Sequence, residues 1–176
     1  KFYAFSFLSY VRGTLHAVLQ ESNSPAELMR RVNQMLLKDE VMEETFASLL
    51  LLRWNPETHE ITYANAGHCR PIIVTPAGAD VIAHSDLILG LESDASFQDS
   101  TFSIPRESAL LLYTDGLMEQ RLPSGETLGE EGIMDIAADL LHHEEPVEAL
   151  LEEALRRTEA NSFNDDILAF WLQRSE

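Results

Sequence analysis

The sequence predicts an α+β fold in which helices pack over largely antiparallel sheets. Apolar side chains recur at helical spacing in two pairs of segments, near residues 7–36 and 133–155. Between these pairs lie short apolar runs separated by turns rich in Pro, Gly and Asn, which is typical of strands. A length of 176 residues is that of one domain.

Composition excludes several classes of function. With 30 acidic and 12 basic residues, the formal charge is −18, which disfavours binding to nucleic acid or to an anionic membrane. Cys69 is the one cysteine, so the chain has no disulfide framework and no cysteine-based zinc site. No apolar run reaches the roughly 18 residues of a membrane span, and the start at Lys1 lacks a signal-peptide pattern. We therefore expect a cytoplasmic protein.

The first elements are predicted as a strand followed by two helices. Lys1–Phe5 is aromatic and alternating, which favours a strand, and Phe7–Leu19 has helical spacing. Ser24 is a candidate N-cap for the second helix, with Pro25 at the first helical position and Glu27 placed as in a capping box. The side chains expected in the core from this second helix are Leu28, Val32, Met35 and Leu36.

The middle of the chain is predicted to be a series of strands. The first two are joined by a turn at residues 55–58, so they predict a hairpin. A bend is expected at Leu87–Leu91, because Gly90 interrupts it. In chain order, the predicted strands are Phe46–Trp54, Glu60–Ala64, Pro71–Thr75, Asp80–Ala83, Phe97–Ile104 and Leu110–Tyr113.

The last part of the chain predicts two helices and a closing strand. Apolar residues from Ile133 to Leu141 have helical spacing, and Pro146 opens another amphipathic segment. The run Ile167–Leu172 then predicts the last strand.

Two acidic clusters adjoin predicted strands. Asp115 follows the strand Leu110–Tyr113 and is followed by Gly116, and the pair Asp165 and Asp166 precedes the last strand. If the two strands are antiparallel neighbours, the clusters lie at the same edge of the sheet. Gathered carboxylates repel one another, and a divalent cation removes that cost. Ligands that are all oxygen favour Mg²⁺, Mn²⁺ or Ca²⁺ over zinc, and paired metals suit phosphoryl transfer.

The residues alone leave a second interpretation of these carboxylates open. Asp115 and Asp165 can each cap a turn by bonding to nearby backbone amides. In that case the chain is an acidic α+β scaffold without a metal. Among neighbouring polar residues, we expect Asn65 to tie its turn with its amide, His68 to make structural hydrogen bonds, and Cys69 to be unreactive.

Four stretches in order resemble the signature blocks of one family. They are ITYANAGH at residues 61–68, LLLYTDG at 110–116, GETLGEE at 125–131 and DDI at 165–167. The family is the PPM-type serine phosphatases, similar to protein phosphatase 2C. Within it the chain resembles the bacterial class that regulates sigma factors, which includes the sporulation stage II phosphatase and the stress-response phosphatases.

This resemblance implies a four-layer α-β-β-α sandwich over residues 1–176 with a two-metal Mg²⁺ or Mn²⁺ centre between the sheets. By matching motif, Asp115 and Asp165 are the metal-binding, catalytic aspartates, and Asp166 is an outer-shell neighbour of the metal. In such enzymes water attacks phosphorus directly at the metal centre. The implied substrate is a phosphoserine on an anti-sigma-factor antagonist of the STAS type, which then captures the anti-sigma factor. An upstream sensor or receiver domain and a homodimer through the first two helices are also implied.

The chain departs from the family in one block. The family places an Asp-Val-Ser-Gly block between the first strand and the first long helix, and that block supplies the bridging aspartate. Here no acidic residue precedes Glu21. We expect the loop to be missing near residues 5–7, where the predicted strand Lys1–Phe5 runs straight into a helix. If the segment is instead truly deleted, the chain is a catalytically impaired phosphatase-like module that binds a regulatory partner.

Overall fold

The structure is a computed structural model that describes residues 2–39 and 45–174, with side chains of the first helix described from Leu8 onward. Two compact units are present. The first comprises Lys1–His68 and His84–Ser103, and the second comprises Cys69–Ala83 and Ile104–Glu176. In chain order the elements are α1 (Phe2–Val18), α2 (Pro25–Lys38), β1 (Leu49–Asn55), β2 (Glu60–Ala66), β3 (Ile72–Thr75), β4 (Gly78–Val81), β5 (Ser100–Ser103), β6 (Ser108–Tyr113), α3 (Asp115–Met118), α4 (Gly129–Ala138), α5 (Pro146–Thr158) and β7 (Ala169–Arg174).

In the first unit, α1 and α2 pack together and α2 covers an antiparallel sheet of order β1-β2-β5. The predicted cap of α2 is confirmed, since the Glu27 N–H donates to Ser24 Oγ at 3.0 Å. Met35 was predicted in the core and is 39% exposed, whereas Met29 is fully buried. The buried face of α2 is centred on Val32 and Leu36, so Met29 lies within it and Met35 at its margin.

In the second unit, an antiparallel sheet of order β4-β3-β6-β7 is covered by helices on one side. Helix α4 contacts β3 and β4, and α5 contacts β7. The central strand β6 is buried along most of its length. The core combines sheet residues Ile72, Val74, Ala109, Leu111 and Tyr113 with helix residues Ile133, Ile136, Ala137, Leu150 and Ala154.

The predicted α+β class with antiparallel sheets is confirmed. Each unit places helices against one sheet, and all the strand pairs within the two sheets are antiparallel. The hairpin predicted from the turn at residues 55–58 is β1–β2. None of the helices in the described ranges meets the length and hydropathy that a bilayer-spanning helix needs.

The strand predicted over Lys1–Phe5 is wrong. The backbone of Phe2–Phe5 is helical and continues into the rest of α1, while Lys1 lies outside the described residues. Between Phe2 and Arg12 there is no Pro or Gly to end a helix. The strand preference of aromatic residues depends on a neighbouring strand, and adding residues to an existing helix costs little. The join at residues 5–7 is therefore helical backbone, and the extent of the domain over residues 1–176 stays a prediction.

Other strands are shorter or shifted relative to their apolar runs. The run Phe97–Ile104 forms a strand only at Ser100–Ser103, because only these residues pair with Glu60–Tyr63 of β2. The last strand is β7 (Ala169–Arg174), which begins two residues later than predicted and pairs along the whole of β6. The short helix α3, which starts at Asp115, was not predicted.

Candidate metal site at one edge of the second sheet

The end of β6 and the start of β7 are held side by side. The ladder between them runs to Tyr113 opposite Ala169. Beyond it, the Thr114 N–H donates to the Leu168 carbonyl, and the Leu168 N–H donates to Thr114 Oγ1, each at 3.0 Å. The two strands are thus the antiparallel neighbours that the sequence argument required. Both acidic clusters, which follow β6 and precede β7, lie at the same edge of the sheet.

Gly116 allows the two segments to approach closely. A β-carbon added to this buried glycine would lie 2.5 Å from the carbonyl oxygen of Asp166 and 3.4 Å from the Ile167 side chain. Real β-carbons do not come this close to a backbone oxygen. The glycine after Asp115 is therefore required by the approach of the segment that carries Asp165 and Asp166.

Each of the two predicted ligands uses one oxygen locally. Asp115 Oδ1 accepts from the Gly116 N–H at 3.0 Å, and Asp165 Oδ1 accepts from the Asp166 N–H at 2.8 Å. These bonds are the turn-capping role that the sequence left open. All three aspartates, Asp115, Asp165 and Asp166, are exposed to solvent. Capping occupies one oxygen of a carboxylate, so it leaves the other available to a cation.

The carboxylates of Asp115 and Asp165 are the type of ligand that a hard divalent cation prefers, but there are only a few of them. Carboxylate oxygens are the ligands that Mg²⁺ and Mn²⁺ prefer, and Mg²⁺ is commonly held by one or two carboxylates with water. Over residues 2–39 and 45–174, no group of three or more His, Cys, Asp or Glu side chains is arranged to hold a metal ion. The described residues therefore offer the right kind of ligand, but fewer ligands than a closed two-metal cage needs.

Arg70 and Glu130 lie on the β3 side of β6, whereas the segment of Asp165 lies on the β7 side. Strand β3 begins at Ile72, opposite Leu111 of β6, and Arg70 lies two residues before it, where its charge acts on Tyr113. The Arg70 guanidinium donates to both carboxylate oxygens of Glu130, with Nε at 3.1 Å from Oε1. This hydrogen bond raises the pKa of Arg70, so the group stays charged. The pair joins the start of β3 to the first turn of α4.

Two protic side chains near this pair are kept neutral. Burial raises the pKa of the Cys69 thiol to about 11, and the charge of Asp115 adds to the effect. A thiol in this state is a poor nucleophile, which agrees with the prediction for Cys69. Burial likewise raises the pKa of Tyr113, followed by the charge of Glu130. The Tyr113 hydroxyl is buried and has no hydrogen-bond partner among the described residues.

Gln120 is a supporting residue that the sequence analysis missed. Its Nε2 donates to the Gly116 carbonyl at 2.6 Å, and the side chain is 2% exposed. The Leu128 N–H donates to the Gln120 carbonyl at 2.7 Å, which folds the following loop over this residue. The one sequence signal was its position four residues after Gly116, which suits a helical turn.

In the first unit, the signature loop is tied by Asn65 as predicted. Asn65 Oδ1 accepts from the His68 N–H at 2.8 Å, and Asn65 Nδ2 donates to the His68 carbonyl at 3.0 Å. Asp86 bonds the same loop through its backbone, donating to the Asn65 carbonyl at 2.7 Å and accepting from the Gly67 N–H at 3.1 Å. The loop is therefore held from within and from a second segment.

Comparison with known proteins identifies related sequences over nearly the whole chain. The family model of stage II sporulation protein E (SpoIIE) matches residues 3–175. The phosphoserine phosphatase RsbP of Bacillus subtilis (strain 168) is 26% identical over 165 residues, which cover 87% of this chain and 39% of RsbP. The phosphoserine phosphatase RsbU of the same organism is 19% identical over 120 residues, which cover 67% of this chain and 36% of RsbU. The matched region is therefore well under half of each curated relative.

Solved structures share the fold. The SiaA-PP2C domain of Pseudomonas aeruginosa superposes with a TM-score of 0.81 at 15% identity, covering 94% of this chain and 68% of that one. The phosphatase domain of the cell fate determinant SpoIIE from Bacillus subtilis, presoaked with Mn, has a TM-score of 0.64 at 16% identity, covering 92% and 70%. At these identities the likeness establishes the fold.

Proposed function

This chain belongs to the stage II sporulation protein E (SpoIIE) family, and we propose that it is a metal-dependent protein serine phosphatase. The proposed substrate is a phosphoserine on an anti-sigma-factor antagonist of the STAS type. One observation carries the proposal: Gly116 and the β6–β7 pairing bring the segment of Asp115 against the segment of Asp165 and Asp166. The names of RsbP and RsbU, both phosphoserine phosphatases, support the reaction class.

In this proposal Asp115 and Asp165 hold a Mn²⁺ or Mg²⁺ ion through the oxygens that their local hydrogen bonds leave available. Asp166 supports the site from the outer shell. A bound divalent cation supplies an acidified water and neutralises charge on the phosphoryl group. The Mn-presoaked SpoIIE phosphatase structure, which shares the fold, supports this choice of metal.

The raised pKa of the Cys69 thiol argues against a cysteine-phosphatase mechanism. A cysteine phosphatase needs a thiolate, and catalytic cysteines have lowered pKa values. Here burial and the charge of Asp115 raise the pKa of Cys69 to about 11. The thiol is protonated at neutral pH, so the hydrolytic role falls to the carboxylates of the sheet edge.

The site is tested by titrating Mn²⁺ into the wild type, Asp115→Asn and Asp165→Asn, and by measuring turnover of a phosphorylated antagonist domain. We expect both variants to bind Mn²⁺ at least about tenfold more weakly, the scale of losing a charged ligand bond, and to lose turnover. Asp80→Asn is the matched control, because Asp80 Oδ1 accepts from the Val81 N–H at 2.8 Å on an exposed strand of the same unit. Turnover by Asp115→Asn equal to that of the wild type rejects the assigned role.

A second candidate function is a phosphatase-like module that binds a regulatory partner without catalysis. The observation that favours it is the small donor set: the described residues hold no group of three or more metal-binding side chains. Mn²⁺ binding together with turnover of the phosphorylated antagonist domain by the wild type rules this candidate out. Partner binding without any Mn²⁺ binding or turnover selects it.

Three further expectations belong to the proposal. We place the protein in the cytoplasm, downstream of a sensor or receiver domain, and as a homodimer through α1 and α2. The exposed apolar side chains of Leu8 in α1 and of Leu19 just after it, at 66% and 46%, support the dimer. Light scattering of the wild type and of Leu8→Glu tests it, and a monomeric wild type contradicts it.

A further inference from the structure

Arg70 lies at the same sheet edge as the acidic clusters. It lies two residues before β3, whose first residue Ile72 is opposite Leu111 of β6, and its charge acts on Tyr113, two residues before Asp115. Strand β6 pairs with β3 on one side and with β7 on the other, so Arg70, just before β3, and the segment of Asp165, just before β7, lie on either side of the end of β6. The charge of Asp115 also acts on the thiol of Cys69, the residue next to Arg70.

The geometry of the ion pair leaves donors of Arg70 unused. A guanidinium has five N–H groups. The bidentate pair with Glu130 engages Nε and one N–H of Nη2, so Nη1 and the second N–H of Nη2 remain for another acceptor. The Arg70 side chain is 40% exposed, against 20% for Glu130. Glu130 therefore fixes the plane of the guanidinium, and the Arg70 side chain stays partly exposed to solvent.

An arginine in this place meets a specific chemical need. The chain carries a formal charge of −18, and the edge is lined by carboxylates, which repel a phosphoryl dianion. Guanidinium groups match phosphate in geometry and bind it through paired N–H bonds. Arg174, on β7, lies at the opposite end of the sheet because it pairs with Ser108.

We propose that Arg70 binds the phosphoryl group of the substrate at this edge, with Glu130 as the residue that positions its guanidinium. This inference rests on the proposed phosphatase function and names the contact that offsets the acidic surroundings for the substrate. The pair would otherwise be only a clamp between the start of β3 and α4, and the two roles give different measurements.

The test is a calorimetric titration of the chain with inorganic phosphate in the presence of EDTA. We expect Arg70→Ala to bind phosphate about tenfold to a hundredfold more weakly than the wild type, the scale of losing a charged hydrogen bond. Arg70→Lys should retain part of the affinity. Arg106→Ala is the control, because Arg106 is an exposed arginine just before the other end of β6.

Removing Arg70 alone leaves Glu130 without its partner, which can lower stability. The double variant Arg70→Ala with Glu130→Gln removes that unpaired charge, and it should fold and still bind phosphate weakly. A melting temperature that falls in Arg70→Ala while phosphate affinity is unchanged shows a clamp only and overturns the proposal. Equal phosphate affinity in the wild type and the double variant overturns it as well.

Kinetics separate this inference from the function on which it rests. With a phosphorylated antagonist domain and Mn²⁺, Arg70→Ala should raise KM about tenfold or more, and Arg70→Lys should restore part of the loss. A wild-type chain that binds phosphate through Arg70 but turns over no substrate rejects the phosphatase proposal. A wild-type chain that turns over substrate with the same KM as Arg70→Ala rejects the role of Arg70.

Discussion

Gly116 lies so close to Asp166 that a β-carbon on the glycine would stand 2.5 Å from the Asp166 carbonyl oxygen. The contact joins residues fifty positions apart at the edge where β6 ends and β7 begins. It explains why a glycine follows Asp115, since any side chain would push the second acidic segment away. The distance between the two carboxylate-bearing segments depends on this contact, and the proposed metal site depends on that distance.

We therefore expect Gly116→Ala to destabilise the chain by about 1–3 kcal/mol, the cost of overpacking against backbone. Mn²⁺ affinity should fall with it, because the Asp166 segment must move. Urea unfolding and Mn²⁺ titration measure the two effects. Gly13→Ala is the control, since a β-carbon there has no neighbour within 4 Å and lies in the helix α1. The free energy of unfolding of Gly13→Ala should rise by about 0.5–1 kcal/mol. A Gly116→Ala variant as stable as Gly13→Ala would contradict the close contact between Gly116 and Asp166.

The pKa of the Cys69 thiol depends on the charge of Asp115. Its thiol pKa is raised from 9.0 to about 11 by burial and then by Asp115. Alkylation by iodoacetamide should therefore rise through about pH 11 rather than pH 9. The anion is disfavoured by the negative charge, so Asp115→Asn should lower the thiol pKa and shift the profile to lower pH. If Asp115→Asn and the wild type give the same pH profile of alkylation, the charge of Asp115 does not act on the Cys69 thiol.

Mn²⁺ should act on Cys69 in the same direction as Asp115→Asn. A cation bound at Asp115 neutralises the carboxylate, so the thiol should ionise at lower pH and alkylate faster at pH 9. The variant Asp115→Asn provides the control, since Mn²⁺ should not change its profile. Faster alkylation of both proteins on adding Mn²⁺ would place the ion elsewhere.

Gln120 should matter for stability through the Gly116 carbonyl. Gln120→Ala removes a 2.6 Å hydrogen bond from a side chain that is 2% exposed, and we expect a loss of about 3 kcal/mol from the cavity and the unpaired carbonyl. Gln120→Met preserves volume, and its loss should be nearer to about 1 kcal/mol. Urea unfolding separates the two, and equal losses would show that the hydrogen bond rather than the volume dominates.

Asn65 should be a stability residue of the first unit. Its buried amide makes two bonds to the His68 backbone, so Asn65→Ala should cost about 2–3 kcal/mol. Asn55→Ala is matched, because Asn55 Oδ1 also accepts from a backbone N–H, that of Glu57 at 3.0 Å, on an exposed turn. Its loss should stay below about 1 kcal/mol. Thermal unfolding compares them, and similar losses would contradict the importance of burial.

Graded effects are expected among the three aspartates. Asp115→Asn and Asp165→Asn each remove a proposed ligand, whereas Asp166→Asn removes an outer-shell charge. Outer-shell changes typically cost about tenfold to a hundredfold in metal affinity or activity, so turnover by Asp166→Asn should remain measurable. Steady-state kinetics at saturating Mn²⁺ provide the comparison. Complete loss in Asp166→Asn with activity retained in Asp165→Asn would exchange their roles.

Local signals in the sequence predicted most elements and failed where a distant partner decides. The Ser24 cap and the apolar spacing of α2 act within a few residues, so they were readable. The aromatic run Phe2–Phe5 predicted a strand, but a strand needs a neighbouring strand to pair with. The backbone of this run is helical. The strand ends were misplaced at Ser100–Ser103 because pairing with β2 sets them.

Hydrophobic period, caps and turn residues are local properties, so the α+β class, the order of the elements from α1 onward except α3, and the two acidic clusters beside apolar strands could be predicted from the sequence. The contacts of Gly116 with Asp166, of Gln120 with the Gly116 carbonyl, and of Arg70 with Glu130 are visible only in the folded chain. Strand register and helix packing create these contacts between distant residues, and no local pattern specifies a register.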